Sequence, residues 1–242
     1  MIIEIDRLTV KFRQGWRRRT ITAVDEVTLG IREGEVFALL GPNGAGKSTT
    51  LYCMLGLLRP TAGQVRLFGE TPRPGCAALA HIAYLPEEPH YHDYLTVEEA
   101  VTYYVSLYGS RPPRERVAGV LDRLGLGRAR DQRVASCSKG MKQKVGIAQC
   151  LLHQPKLLLL DEPMRGLDPV TVKDLRDVLI DLHRQGVTIV MNSHMLAEVQ
   201  LIATRAAVLA DGKLVGVDET PKSGTLEDWF FSVLRPAGDA SA

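Results

Sequence analysis

Gly41-Pro42-Asn43-Gly44-Ala45-Gly46-Lys47-Ser48 is the stretch on which the reading of this chain turns. It fits the pattern G-x-x-x-x-G-K-[ST] at every fixed position. The apolar run at residues 35–40 reads as a strand before it, and residues 47–57 read as a helix after it, closed by Arg59-Pro60. Glycines let a backbone curl until successive N–H groups point inward, a concavity that side chains would fill. The following helix adds its positive N-terminal end. Lys47 brings a full charge to the β- and γ-phosphates of a nucleotide, Ser48 offers a hydroxyl to Mg²⁺, and Thr49 extends the contact. A glycine-rich turn that merely caps a helix is the plainer alternative, and the strand–loop–helix context argues against it. The glycines do not follow G-x-G-x-x-G, so a dinucleotide site is disfavoured.

Working outward, Leu157-Leu158-Leu159-Leu160 runs into Asp161-Glu162. A buried strand that stops at two acids delivers both to the edge of the sheet where the phosphate loop also lies. Asp161 is the candidate Mg²⁺ ligand, acting through the ion's water shell. Glu162, expected on the opposite side of the pleat, is the candidate general base for a water in line with the γ-phosphate. Continuous apolar runs at residues 156–160 and 187–191 suit parallel strands covered on both faces. Strands are expected at residues 2–10, 22–31 and 64–68, a hairpin at 205–217 turning on Asp211-Gly212, and helices at 169–185 and 195–203. Between residues 86 and 154 apolar residues recur at helical spacing, as at Val97, Ala100, Val101, Tyr104 and Val105, which predicts a mostly helical insert. Strands alternating with helices around a parallel sheet give an α/β fold.

Composition sets the remaining bounds. The chain has 242 residues, 45% hydrophobic and 24% charged, enough to bury a core. A formal net charge of +2 gives no reason to expect nucleic acid as the partner. No apolar run reaches the ~20 residues needed to cross a bilayer. The start, MIIEIDRLTV, carries acids and lacks a basic n-region, so it does not read as a signal peptide, and the chain is expected to be cytosolic. Cys53, Cys76, Cys137 and Cys150 fall at no metal-like spacing and read as reduced thiols.

The segment Cys137-Ser138-Lys139-Gly140-Met141 sharpens the assignment. Ser138 is a candidate N-cap, with Met141, Val145, Ala148 and Leu152 as one apolar stripe behind it. A helix so capped presents N–H groups to an anion. Here the chain resembles an ABC ATPase, whose signature usually reads leucine-serine-glycine-glycine-glutamine; Ser138 and Gly140 are kept. Gly166-Leu167-Asp168-Pro169 resembles the family's D-loop, and His194, after Asn192-Ser193, its switch histidine. Phe12 stands where the family places an aromatic ring against adenine, with Trp16 as the alternative.

The resemblance spans residues 2–220 and implies a P-loop NTPase of the ABC ATPase type. Its expected parts are a RecA-like core, an N-terminal antiparallel β subdomain and a helical subdomain. Residues 1–86 would hold the β subdomain and the first part of the core, 87–154 the helical subdomain, 155–220 the rest of the core, and 221–242 a tail. It also implies ATP and Mg²⁺ as ligands, with ATP sandwiched between this chain and a second copy or a homologous ATPase subunit. Ser138 and Gly140 would meet the γ-phosphate on that partner, Asp168 would communicate across the dimer, and His194 would sense the γ-phosphate in its own chain. Transmembrane permease subunits would hold the chain at the cytoplasmic face of a membrane.

Departures are specific. Glu87, in Tyr84-Leu85-Pro86-Glu87, occupies the position where the family commonly has a metal-facing glutamine, and is expected to keep the oxygen ligand. Lys139 and Met141 replace a glycine and the glutamine of the signature. Such changes resemble exporter subunits that pair with separate membrane proteins. A nucleotide-dependent clamp on nucleic acid and a nearly inactive regulatory switch are the rivals; the first would carry a coiled-coil insertion, and the sequence has none. The basic stretch at residues 13–19 reads as a solvated loop or a contact for anionic lipid. His90-Tyr91-His92-Asp93 reads as a polar loop before a metal cluster.

Overall fold

The structure is a computed structural model that describes residues 1–14, 19–109, 111–220 and 224–234. Trp16 and the middle of the basic stretch lie outside those residues, as does the small polar segment from Pro236. Among the described residues two sheets form. The first is antiparallel, with β2 (Arg19–Ile31), β1 (Ile3–Gln14) and β4 (Ala62–Leu67) in that order across it. The second has six strands, ordered β5 (Ile82–Leu85), β6 (Leu157–Asp161), β7 (Thr188–Asn192), β3 (Val36–Leu40), β8 (Arg205–Ala210) and β9 (Lys213–Glu219). All its pairings are parallel except β8 with β9, the expected hairpin.

The strand run β6–β7–β3 sets up the site. Each of these five-residue strands is buried along its whole length, as their unbroken apolar runs require. Side chains alternate between two cores. Val36, Ala38, Leu40, Leu158 and Leu160 face one; Phe37, Leu39, Leu157 and Leu159 face the other. The second core joins the sheet to the antiparallel one and to α1 (Lys47–Met54). The first lies under α5 (Pro169–Arg184), α6 (Leu196–Gln200) and three helices of the insert, α2 (Val97–Ser106), α3 (Arg114–Arg123) and α4 (Lys139–His153). Helix α2 starts on a capping box, with Thr96 and Glu99 each bonding the other's backbone N–H. No helix among the described residues is long and apolar enough to cross a membrane.

Several boundaries differ from expectation. Strands β1 and β2 run on into the basic stretch and pair to Gln14 and Arg19, so only residues 15–18 separate them. Helix α1 stops at Met54, and α6 is a short piece inside the expected 195–203. Strand β5, not anticipated, opens the way to the insert. Within the expected tail a helix forms, α7 (Leu226–Leu234), whose Trp229, Phe230 and Val233 pack on the first core. All four cysteines are free thiols. Burial pushes the Cys53 thiol up to about 11 and that of Cys150 to about 12, so both stay protonated and inert at neutral pH.

Candidate nucleotide site

The phosphate loop links β3 to α1, and its glycines are required by both conformation and space. Gly41 has φ +149°, and a Cβ there would lie 2.2 Å from the Leu209 carbonyl oxygen. Gly46 has φ +100°, and a Cβ would lie 2.4 Å from the Ala23 carbonyl oxygen. Ala23 reaches that position because of a bulge: Lys11 pairs Thr22 and Val10 pairs Val24, leaving Ala23 unmatched on β1. Lys47 is 7% exposed, and its Nζ donates to the carbonyls of Gly41 at 2.7 Å and Pro42 at 3.1 Å. Burial lowers the pKa of this ammonium, opposed by the nearby charges of Glu162 and Asp161.

The register of the sheet brings the acids to the loop. Asp161 ends β6 opposite Asn192 of β7, whose neighbour across is Leu39 of β3. Asp161 Oδ1 accepts from Ser48 Oγ at 3.2 Å and from Asn192 Nδ2 at 3.0 Å. Glu162 is 8% exposed. The pleat does not aim it, contrary to expectation. The strand has ended, and Glu162 takes φ +47°, a left-handed turn that a β-carbon resists. That turn brings Glu162 Oε2 to His194, which donates from its backbone N at 3.3 Å and from Nδ1 at 2.7 Å. Among the described residues no donor reaches Oε1.

A cavity of about 180 Å³ opens over the loop, lined by Ala23, the loop residues from Asn43 to Ser48, Thr49, Glu87, Glu162 and Arg165. Glu87 forms an ion pair with Arg165. Sequence reasoning passed over Arg165 and Ala23. A lone arginine after the acidic strand carries no pattern, and the bulge that places Ala23 exists only in the pairing of β1 with β2. Phe12 stands across from Ile21 on the antiparallel sheet; each is 42% exposed.

Ser138, Gly140 and Asp168 form a second group, and none of them lines the cavity. Ser138 caps α4, its Oγ accepting from Met141 N at 3.2 Å. Asp168 caps α5, accepting from Val170 N at 3.1 Å and Thr171 N at 3.0 Å. The two caps lie side by side: a Cβ on Gly140 would lie 3.2 Å from Thr171 Cγ2, and one on Gly166 3.1 Å from Lys139 Nζ. Residues 90–93 lie in a loop. His90 Nδ1 lies 2.8 Å from the Glu88 carbonyl oxygen and His92 stacks on Tyr94, as a polar and aromatic loop would. Among the described residues no group of three His, Cys, Asp or Glu side chains is placed to hold a metal ion.

A phosphate cradle between strand and helix, with a hydroxyl and a carboxylate touching beside it, defines a P-loop nucleotide-binding protein. Comparison with known proteins takes this further. The ABC transporter family profile matches residues 24–165, more than half of the chain, and the chain belongs to that family. It is 37% identical over 219 residues to an uncharacterized ABC transporter ATP-binding protein of Synechocystis, covering 88% of this chain and 62% of the relative. It is 35% identical to the uncharacterized ABC transporter ATP-binding protein YhcH of Bacillus subtilis, covering 99% of this chain and 78% of that one. The chain thus spans less than two thirds of the cyanobacterial relative's length. Among solved structures it is similar to a dimeric post-hydrolysis state of the ATP-binding cassette MJ0796 bound to ADP and Pi. That likeness has a TM-score of 0.81 at 25% identity, covering 90% of this chain and 99% of that one.

Proposed function

We propose that this chain binds Mg·ATP, closes on a second cassette, hydrolyses the nucleotide and so drives separate transmembrane subunits. The observation that carries this reading is the convergence at one sheet edge of the phosphate loop, the Ser48–Asp161 contact and the Glu162–His194 pair. Phosphate oxygens suit the cradle of N–H groups and the Lys47 ammonium, which now rests on two carbonyls. Glu162 acts as the base: Oε2 is occupied by His194, which orients the carboxylate and leaves Oε1 to accept a proton from water. With Nδ1 donating to Glu162, Nε2 is the ring atom of His194 left to meet the γ-phosphate, to which it donates in the imidazolium form.

The Mg²⁺ ligand set fits the residues present. Ser48 Oγ and Asp161 Oδ1 are hard oxygens already in contact, and Glu87 offers a third from the cavity wall. A site of this kind uses few protein ligands because phosphates and water complete it. When bound, the ion withdraws charge from the phosphate oxygens.

The N-terminus of α4 and the cap at Asp168 stand apart from the cavity, which supports their use by the nucleotide of a facing chain. The similarity to a dimeric cassette supports the same arrangement. Phe12, exposed on β1, is the proposed adenine contact. Transmembrane permease subunits as partners and the cytoplasmic face of a membrane as location are part of the same proposal, supported by similarity to ABC transporter ATP-binding proteins.

Binding and assembly separate in two variants. Lys47→Ala should weaken ATP binding by the single chain roughly tenfold or more, since a hydrogen bond to a charged group is worth ~1.5–3 kcal/mol. Ser138→Arg should leave that binding within about twofold and block dimer closure, because bulk then fills the place of the facing γ-phosphate. Equilibrium binding and light scattering read the two effects. Equal losses of ATP affinity in both variants would assign Ser138 to its own chain's pocket and refute the sandwich.

A further inference from the structure

We propose that Arg165 is a positioning residue for the phosphate cavity, its ion pair with Glu87 cancelling an acid that would otherwise repel nucleotide phosphates. The proposal rests on the reading that this cavity takes ATP.

Arg165 and Glu87 are 78 residues apart in sequence, yet both line the cavity over the phosphate loop and pair with each other. Arg165 sits on the turn after the candidate base, its backbone N donating to the Glu162 carbonyl at 3.1 Å. Glu87 lies two residues past β5, where the chain leaves the sheet for the insert. The charges around the cavity show why the pair matters. Its lining carries two cations, Lys47 and Arg165, and two acids, Glu87 and Glu162. Asp161 adds a third acid through its contact with Ser48. Metal-free ATP adds several negative charges, its terminal phosphate alone carrying about −1.5 to −2 near pH 7. Without Arg165 one buried lysine would face three carboxylates and the phosphates together. A glutamine at position 87, which the resemblance would lead one to expect, needs no counter-ion. The arginine therefore answers the acid.

The side chains of Arg165 and Glu87 are 48% and 36% exposed, so neither is locked by packing and the pair can shift when nucleotide enters. The guanidinium keeps its hold on the Glu87 carboxylate and so draws that acid aside from the phosphates. Once Mg²⁺ is present, the ion supplies the compensating charge and Arg165 matters less.

The test is equilibrium binding of a ribose-labelled fluorescent ATP to the full chain, in EDTA and in Mg²⁺. Wild type is compared with Arg165→Ala, Arg165→Gln, Glu87→Gln and the double variant Glu87→Gln/Arg165→Ala. Both side chains are partly exposed, and thermal melts check that the variants fold. Loss of Arg165 should weaken binding about tenfold in EDTA and no more than about threefold in Mg²⁺, and removing the acid as well should restore wild-type affinity to within about threefold. Equal losses with and without Mg²⁺, no loss at all, or a double variant as weak as Arg165→Ala would overturn the proposal. A wild type that binds no ATP in either condition would instead overturn the reading of the cavity itself.

Discussion

Asp168 illustrates how one side chain can hold a turn and a charge together. Its carboxylate takes the N–H groups of Val170 and Thr171, and its other oxygen takes Thr171 Oγ1 at 2.7 Å. The Thr171 hydroxyl first, then the backbone donors, hold this carboxyl below the usual carboxylate range. The folded-state pKa is thus depressed, so the stabilisation is complete above the unfolded value of ~3.9 and is lost as pH falls through the folded value. Asp168→Ala should therefore melt below wild type at neutral pH, and the gap should close below about pH 4. A gap in thermal melts that stays constant across that range would mean the cap works without its charge. At this scale the sequence was legible wherever a residue type and a spacing coincide, as at Lys47, Ser48, Asp161 and His194. It was not legible where position depends on backbone conformation or on a distant partner. Glu162 was read as the candidate base, but its left-handed turn was not anticipated, and the pairing of Glu87 with Arg165 needs two loops brought together by the fold.

The elements most easily read were those with a sustained pattern: the buried strands β3, β6 and β7, and helix α4 with its apolar stripe. Strand β5 escaped because four residues, Ile-Ala-Tyr-Leu, are too few to show a period. Helix α7 escaped because tertiary contacts with the first core stabilise its nine residues, a length that is marginal alone. Where α4 crosses β5, a glycine sets the approach. A Cβ on Gly146 would lie 2.3 Å from Leu85 Cδ1 and 2.8 Å from Tyr91 Oη. Leu85 is fully buried and has little room to give. Gly146→Ala would gain up to ~1 kcal/mol of helix propensity yet lose ~1–3 kcal/mol to overpacking, so denaturant unfolding should show net destabilisation. A stabilised variant would mean that the α4–β5 contact is looser than its packing indicates.

Taken whole, the molecule gathers the candidate nucleotide site at one sheet edge, with the caps at Ser138 and Asp168 apart from it. The two cores on opposite faces of the parallel sheet fix the ends of β3, β6 and β7 relative to one another, and those ends carry the loop, Asp161 and the turn to Glu162. Ser138, Gly140 and Asp168 line no part of that cavity, so under the proposed function a second chain completes each ATP site. The most direct measurement is the mass in solution of the Glu162→Gln variant, by light scattering at high protein concentration. The amide keeps the size of the side chain but cannot act as a base, so hydrolysis should fall by roughly 10²-fold or more while binding survives. With Mg·ATP the variant should then accumulate as a dimer, and with ADP it should remain a monomer. A monomer that binds Mg·ATP yet never dimerises would contradict the composite site.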